Sequence, residues 1–320
     1  MAGLQLVLVV ACAALTMPHA AAMEYPVKPI RLIVSFAPGG QGDILARTLA
    51  PKLGDSFGQQ VLVDNRPGGG GTIAYETAVR ANPDGYTMIL VPGGYAANAA
   101  LYKTSYDPVN DVTPIALIGE TGWVVTLNSS VPVAGVKELI SYDKANPGKL
   151  NYGSSGTGGG AHLSTELFNQ MAGIKMTHVP YKGSVVALND LISGQIQIVF
   201  ANLPTVIQHM KSNRLRGIAV TSAKRYGAVP DIPAVAETVA GYEAVGWYAV
   251  LGPKALPKDV IARWNDEINR SLQMLDVKER LATDGMDPLG GSPERFREVL
   301  KRDIAKWQNV VKVGNIKAGG

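Results

Sequence analysis

Cysteine is almost missing from this sequence, and Cys12 is its only instance. No disulfide framework can be built within the chain, so stability has to come from a packed core. Histidine is scarce as well. His162, His178 and His209, the three beyond the first 22 residues, show neither a helical His/Glu pairing nor the spacing of metal ligands. The formal net charge of +4 is mild, and the basic residues are scattered. No dense Lys/Arg stripe with interleaved aromatics occurs, which argues against nucleic-acid binding and for a solvated surface. Beyond Ala22 no apolar run approaches membrane-spanning length, and no internal repeat or low-complexity tail is found.

The first 22 residues hold no Asp, Glu, Lys or Arg. Residues 4–16 form an apolar run of the length of a signal-peptide core, too short to span a bilayer, and Ala20-Ala21-Ala22 follows as a small-residue cleavage pattern. Export to the periplasm with cleavage near Ala22 is the expectation. A misassigned start or a weak signal would explain the missing basic residue ahead of the run. Val9-Val10-Ala11-Cys12 resembles a lipoprotein processing box, but the apolar run continues past Cys12 and argues against lipidation. The mature chain can bury most of its unfolded surface as two lobes of ordinary domain size.

What the chain does have is glycine ahead of helices. Residues 30–43 read as a short buried strand, then the small-residue turn Ala37-Pro38-Gly39-Gly40, then a helix opening at Gly42 or Asp43. Leu45, Leu49, Leu53 and Phe57 mark the helix at four-residue spacing. Such a turn exposes unpaired N–H groups at the positive end of a helix dipole, where an anion is favoured. The same arrangement returns at Asn151-Tyr152-Gly153-Ser154-Ser155-Gly156-Thr157-Gly158-Gly159-Gly160, with Leu163, Leu167 and Met171 marking the helix behind it. Ser154, Ser155 and Thr157 can add hydroxyl donors, and the glycines admit a ligand close to the main chain. Two cradles far apart in the chain suggest two lobes closing on one small acidic molecule. The loop Asn65-Arg66-Pro67-Gly68-Gly69-Gly70-Gly71-Thr72 is either a third cradle or a surface turn. It lacks the Gly-Lys-Ser/Thr of a nucleotide-hydrolase phosphate loop.

Short apolar segments alternate with helical patterns throughout, which predicts an α/β fold with mainly parallel sheets covered by helices. Strands are expected at residues 30–36, 61–64, 87–92, 123–127, 177–179, 196–200, 215–221 and 247–251. Helices are expected at 136–145, 184–193, 204–212, 259–275 and 293–311.

Catalysis finds poor support. A Ser154–His162 couple is conceivable, but Gly153-Ser154-Ser155-Gly156 lacks the Gly-x-Ser-x-Gly spacing of a nucleophile elbow, and His162 is expected to cap or pack in its helix's first turn. Gly156-Thr157-Gly158-Gly159-Gly160-Ala161 matches a dinucleotide fingerprint. Its preceding strand is too polar, and no acidic residue follows residues 177–179. No cofactor and no metal are expected.

In chain order, the sequence contains Tyr25-Pro26-x-Lys28-Pro29-Ile30-Arg31, Phe36-Ala37-Pro38-Gly39-Gly40-x-x-Asp43, Val63-x-Asn65-Arg66-Pro67-Gly68-Gly69 and Asn82-Pro83-Asp84-Gly85-Tyr86-Thr87. Asn151-Tyr152-Gly153-Ser154-Ser155-Gly156, Val179-Pro180-Tyr181-Lys182-Gly183, Leu191-Ile192-x-Gly194-Gln195-Ile196 and Asp231-Ile232-Pro233-Ala234-Val235-Ala236-Glu237 follow. Together these markers resemble the substrate-binding proteins of tripartite tricarboxylate transporters, the Bug family. The resemblance implies a two-lobed type II periplasmic binding protein of the Venus-flytrap kind, each lobe a mostly parallel sheet flanked by helices, with two chain crossovers. Lobe one would be residues 23–122 with 246–320, and lobe two residues 123–245.

The resemblance further implies a monomer that captures a small organic carboxylate without turnover and delivers it to inner-membrane permease subunits. By position it places the ligand against Phe36, Pro38, Gly39, Gly40 and Asp43 in lobe one and Ser154, Gly156, Thr157 and Gly158 in lobe two, with Tyr181, Lys182 and Asn202 nearby. Family members often carry an acidic residue where this chain has Ala201, in Phe200-Ala201-Asn202. Either an amino-acid ligand is disfavoured here, or that position never meets the ligand. Tyr95, Tyr181 and Trp247 are candidate walls for a ring. The alternatives are an exported hydrolase using Ser154 or Ser155, and a ligand-sensing partner of a signalling receptor. The ligand itself is open among mono-, di- and tricarboxylates and aromatic acids, because a main-chain cradle accepts any carboxylate.

Overall fold

The computed structural model describes residues 25–317 apart from 36, 37, 182 and 228. The expected leader, its cleavage point and Cys12 lie outside the described residues, as do Phe36 and Lys182. In chain order the elements are β1 (Ile30–Val34), α1 (Gln41–Phe57), β2 (Val61–Asn65), α2 (Thr72–Val79), β3 (Thr87–Pro92), α3 (Gly94–Leu101), β4 (Val112–Asn128) and α4 (Val136–Ala145). There follow β5 (Asn151–Ser154), α5 (Gly160–Ala172), β6 (Thr177–Pro180), α6 (Ser184–Ser193), β7 (Ile198–Asn202), α7 (Leu203–Lys211) and β8 (Leu215–Val220). The chain closes with β9 (Val245–Pro253), α8 (Lys258–Ser271), α9 (Leu275–Thr283), β10 (Asp287–Pro288) and α10 (Pro293–Val313).

The strands run in the order β2-β1-β3-β9-β4-β7-β5-β6, with β8 and β10 also paired to β4. The parallel pairing expected from the alternating pattern holds at β2-β1-β3 and at β6-β5-β7. The long strands β4 and β9 run antiparallel to their neighbours, so the sheet as a whole is mixed. β4 changes partners midway: Gly122 pairs with Val245 of β9, while Trp123 pairs with Asn202 of β7. Its first half went unrecognised in the sequence because Pro114 cannot donate to a ladder and the register shifts beside it.

The helices follow their apolar stripes. α1 buries Leu45, Leu49, Leu53 and Phe57, as their spacing predicts, and ends at Gly58 in the left-handed conformation. The helix expected at 259–275 forms as α8 but ends at Ser271, and residue 275 opens a separate helix. The buried stripe of α8 ends at Leu272, and Leu275 stands 72% exposed at the start of α9. Residues 151–152, too polar for a doubly wound central strand, nevertheless belong to β5, paired on both sides. Among the described residues no helix is long and apolar enough to cross a membrane.

Candidate ligand-binding site

A cavity of about 520 Å³ opens where β4 changes partners. Thr121 and Trp123 of β4, Val245 to Tyr248 of β9 and Val199 to Asn202 of β7 form its floor and walls. The helices around it present their N-termini: Gln41 of α1, Gly94 of α3, Gly160 of α5, Ser184 of α6, and Asn202, the cap of α7. No Asp, Glu, Lys, Arg or His lines it among the described residues. Five sets of helix-terminal N–H groups, with no charged side chain among the described lining residues, create a field that favours an anion and supplies the donors to bind it.

The loop from Ser154 to Gly159 borders the cavity along its length. Three of its N–H groups are already engaged, that of Gly159 by the Gly156 carbonyl at 3.3 Å. Gly156 N–H donates to Ser154 Oγ at 3.2 Å, and Gly158 N–H donates to Nδ1 of His162 at 2.9 Å. Ser155 and Thr157 N–H find no acceptor among the described residues, which leaves them as the loop's open donors. Glycine is required at two points. Gly158 sits at φ +81°, and a Cβ there would lie 2.4 Å from Leu101 Cδ1; a Cβ on Gly160 would meet the Trp123 ring at 2.6 Å.

The first cradle is more committed than its sequence implied. Gly39 N–H donates to Asp43 Oδ2 at 2.9 Å, and the same buried carboxylate accepts from Arg47 and Asn65. The Arg47 hydrogen bond is the main reason that Asp43 stays below the usual carboxylate range. Gln41 is the residue of this segment that borders the cavity; Pro38, Gly39, Gly40 and Asp43 do not border it among the described residues. In the second cradle Ser154, Gly156, Thr157 and Gly158 all line the cavity, as does Asn202. Tyr181 stands outside it, donating from its hydroxyl to Asp190 at 2.8 Å. Tyr95, a candidate wall, is core instead: its hydroxyl donates to the Pro108 carbonyl, and its ring meets Tyr75 edge-on. Trp247 does form a wall.

Sequence reading missed the Gly93-Gly94 start of α3, Ser184, Trp123 and Gln41. Pro92-Gly93-Gly94 was legible as another strand-to-glycine junction; Trp123 carried no local signal. The serine contact also differs. Ser154 Oγ lies 2.7 Å from Nε2 of His178, and His162 instead serves the first turn of α5, as expected for it. Desolvation pushes His162 down to about 3 and His178 down to about 4, so both rings are neutral at pH 7. No group of three or more His, Cys, Asp or Glu residues suited to a metal occurs among the described residues.

Residues 45–316 match the tripartite tricarboxylate transporter family receptor. The chain belongs to this receptor family. Protein BugT of Bordetella pertussis is 35% identical to the receptor over 294 residues, covering 90% of each chain. Among solved structures, Rpa4515 of R. palustris with adipate is 36% identical with a TM-score of 0.77, covering 92% of the receptor and 99% of that chain. MatC from Rhodopseudomonas palustris with bound malate is 28% identical with a TM-score of 0.73, covering 90% and 100%. The receptor thus has the two-lobed α/β fold of periplasmic binding proteins, with its cavity at the strand where the sheet changes partners.

Proposed function

We propose that the receptor is exported to the periplasm, captures a small organic carboxylate in this cavity and, as a monomer, delivers it to membrane permease subunits without turning it over. The observation that carries this reading is a cavity met by five helix N-termini and lined by no charged side chain among the described residues. Main-chain donors suit a carboxylate, and the relatives solved with adipate and malate support the class. The ligand carries no ammonium group, because Ala201 lines the cavity and no acidic side chain borders it among the described residues to pair with one. The partner switch of β4 between Gly122 and Trp123, with Val245 opposite Gly122, supports lobes of residues 23–122 with 246–320 and 123–245. The proposed contacts are Ser155 and Thr157, with Ser154, Gly156 and Gly158 shaping the loop, Asn202 and Gln41 at the rim, and residues 38–43 and Tyr181 flanking the cleft; Phe36 and Lys182, outside the described residues, complete the proposed set.

Hydrolysis is the second reading, favoured by the Ser154–His178 contact. That serine is 1% exposed, and its Oγ–H donates to the Gly156 carbonyl at 3.0 Å. Among the described residues the face of His178 is covered by His162 and Tyr152, with no carboxylate bonded to the ring to orient it as a base. The couple therefore holds the loop rather than attacks a substrate.

A thermal-shift screen of mono-, di- and tricarboxylates against size-matched amino acids tests the ligand class. Carboxylates should raise Tm in a concentration-dependent way while amino acids do not. Tight aspartate or glutamate binding with simple carboxylates inert would overturn it. Thr157→Val should weaken the best acid by about 1.5–3 kcal/mol, roughly ten- to a hundredfold, through loss of a hydroxyl donor to a charged group. Calorimetry showing wild-type affinity would remove Thr157 from the contact set. Ester, amide and phosphoester substrates should give no product above blank, and serine-dependent turnover that survives repurification would restore the hydrolase.

A further inference from the structure

Two neutral histidines outside the cavity are tied to the loop that lines it. His178 stands on β6, opposite Tyr152 in the parallel register with β5, and His162 stands in the first turn of α5. Their rings stack at 3.9 Å and 14°, and the His178 ring also stacks on Tyr152 at 4.9 Å. The Tyr152 hydroxyl donates to Glu166, which anchors the far end of the stack on α5. Each histidine then reaches the loop. Nδ1 of His162 accepts the Gly158 N–H, so the proton of the neutral ring sits on Nε2. Nε2 of His178 meets Ser154 Oγ, which donates to the Gly156 carbonyl and accepts the Gly156 N–H. All these groups are satisfied together when His178 donates from Nε2.

We propose that His162 and His178 are positioning residues of the ligand loop: His162 holds Gly158 by its N–H, His178 holds the Ser154 hydroxyl that takes the Gly156 N–H, and together they leave the Ser155 and Thr157 donors open to the ligand. This rests on the carboxylate-capture reading for its purpose, but the holding itself is a property of the unliganded protein. A loop with three glycines in its six residues, 154–159, and Gly160 following would otherwise sample many conformations, and ordering it at the moment of binding would cost affinity.

The test is amide hydrogen exchange of the full chain without ligand, at neutral pH. His162→Leu should speed exchange at Gly158, and His178→Leu at Gly156, each by about tenfold or more. Asn at 162 places an acceptor where Nδ1 was, and Gln at 178 places a donor where Nε2 was. His162→Asn and His178→Gln should therefore exchange within about threefold of wild type. Ser154→Ala, which leaves both rings in place and removes only the hydroxyl between His178 and Gly156, should speed Gly156 alone, and it decides the matter if a leucine variant fails to fold. Unchanged exchange in both the leucine variants and Ser154→Ala, or equally fast exchange in the leucine and the Asn/Gln variants, overturns the proposal. Adipate titrations of the same set should show the same order, with the leucine variants about tenfold weaker and the Asn/Gln variants near wild type. A wild-type protein that ignores every carboxylate would refute the capture reading and leave the exchange result to judge the histidines.

Discussion

Trp247→Ala is expected to cost about 3–5 kcal/mol of stability and to abolish ligand capture. Trp247 is 1% exposed, lies on β9 at the cavity wall, and packs edge-on against Phe296 of α10 with ring centroids 5.4 Å apart. Its indole Nε1–H donates to the Asp303 carboxylate at 2.8 Å, and Asp303 is itself fully buried. Truncation therefore opens a cavity in the core and takes one donor from a buried carboxylate, although Arg302 and Lys306 remain beside it. The main chain is implicated too, since Gly93 N–H donates to the Trp247 carbonyl and Gly93 opens α3 at the cavity. Trp247→Phe keeps most of the packing and loses the hydrogen bond to a charged group, for about 1.5–3 kcal/mol. Urea unfolding of the two variants gives both figures. A Trp247→Ala loss below about 1 kcal/mol would mean that the wall is not part of the core.

Acid should destabilise the protein before its carboxylates titrate. The sign follows from the two buried histidines. Desolvation holds His162 down to about 3 and His178 down to about 4, while in the unfolded chain both titrate near 6.5. As pH falls below about 6.5 the unfolded state takes up protons that the native state refuses, so stability is full above that pH and is lost down to the folded values. His162, 4% exposed, contributes about 2 kcal/mol of loss between pH 7 and pH 5 and about 3 kcal/mol by pH 4. Half-buried His178 adds a smaller amount, reduced by solvent screening. Glu120 and Asp287, raised chiefly by burial, act in the opposite sense as pH falls. The difference between wild type and His162→Asn isolates the histidine. Denaturant unfolding from pH 7 to pH 4 should give the variant a flatter curve, and parallel curves would show that His162 is not held neutral by the fold.

Much of this protein was legible in its residues alone. Four-residue spacing of Leu45, Leu49, Leu53 and Phe57 determined α1, because a helix must bury one stripe and each of these side chains faces the core. The ordered motifs from Tyr25 to Glu237 determined the family, and with it the two-lobed fold. Glycines before α1 and α5 marked backbone left open at helix N-termini, a property of local chemistry that needs no tertiary context. Tertiary structure alone decided which of those donors remain available. Asp43 takes the Gly39 N–H, His162 takes the Gly158 N–H, and Ser154, held by His178, takes that of Gly156. Those partners come from the helix behind each loop or from the next strand, and hydrogen bonds to them depend on distances that residue order does not set. The cavity wall was likewise undetermined by sequence. Trp123 and Trp247 line one cavity with the glycine loop only because β4 crosses between two sets of neighbours and pairs with β9 there, a long-range contact with no local periodicity to announce it.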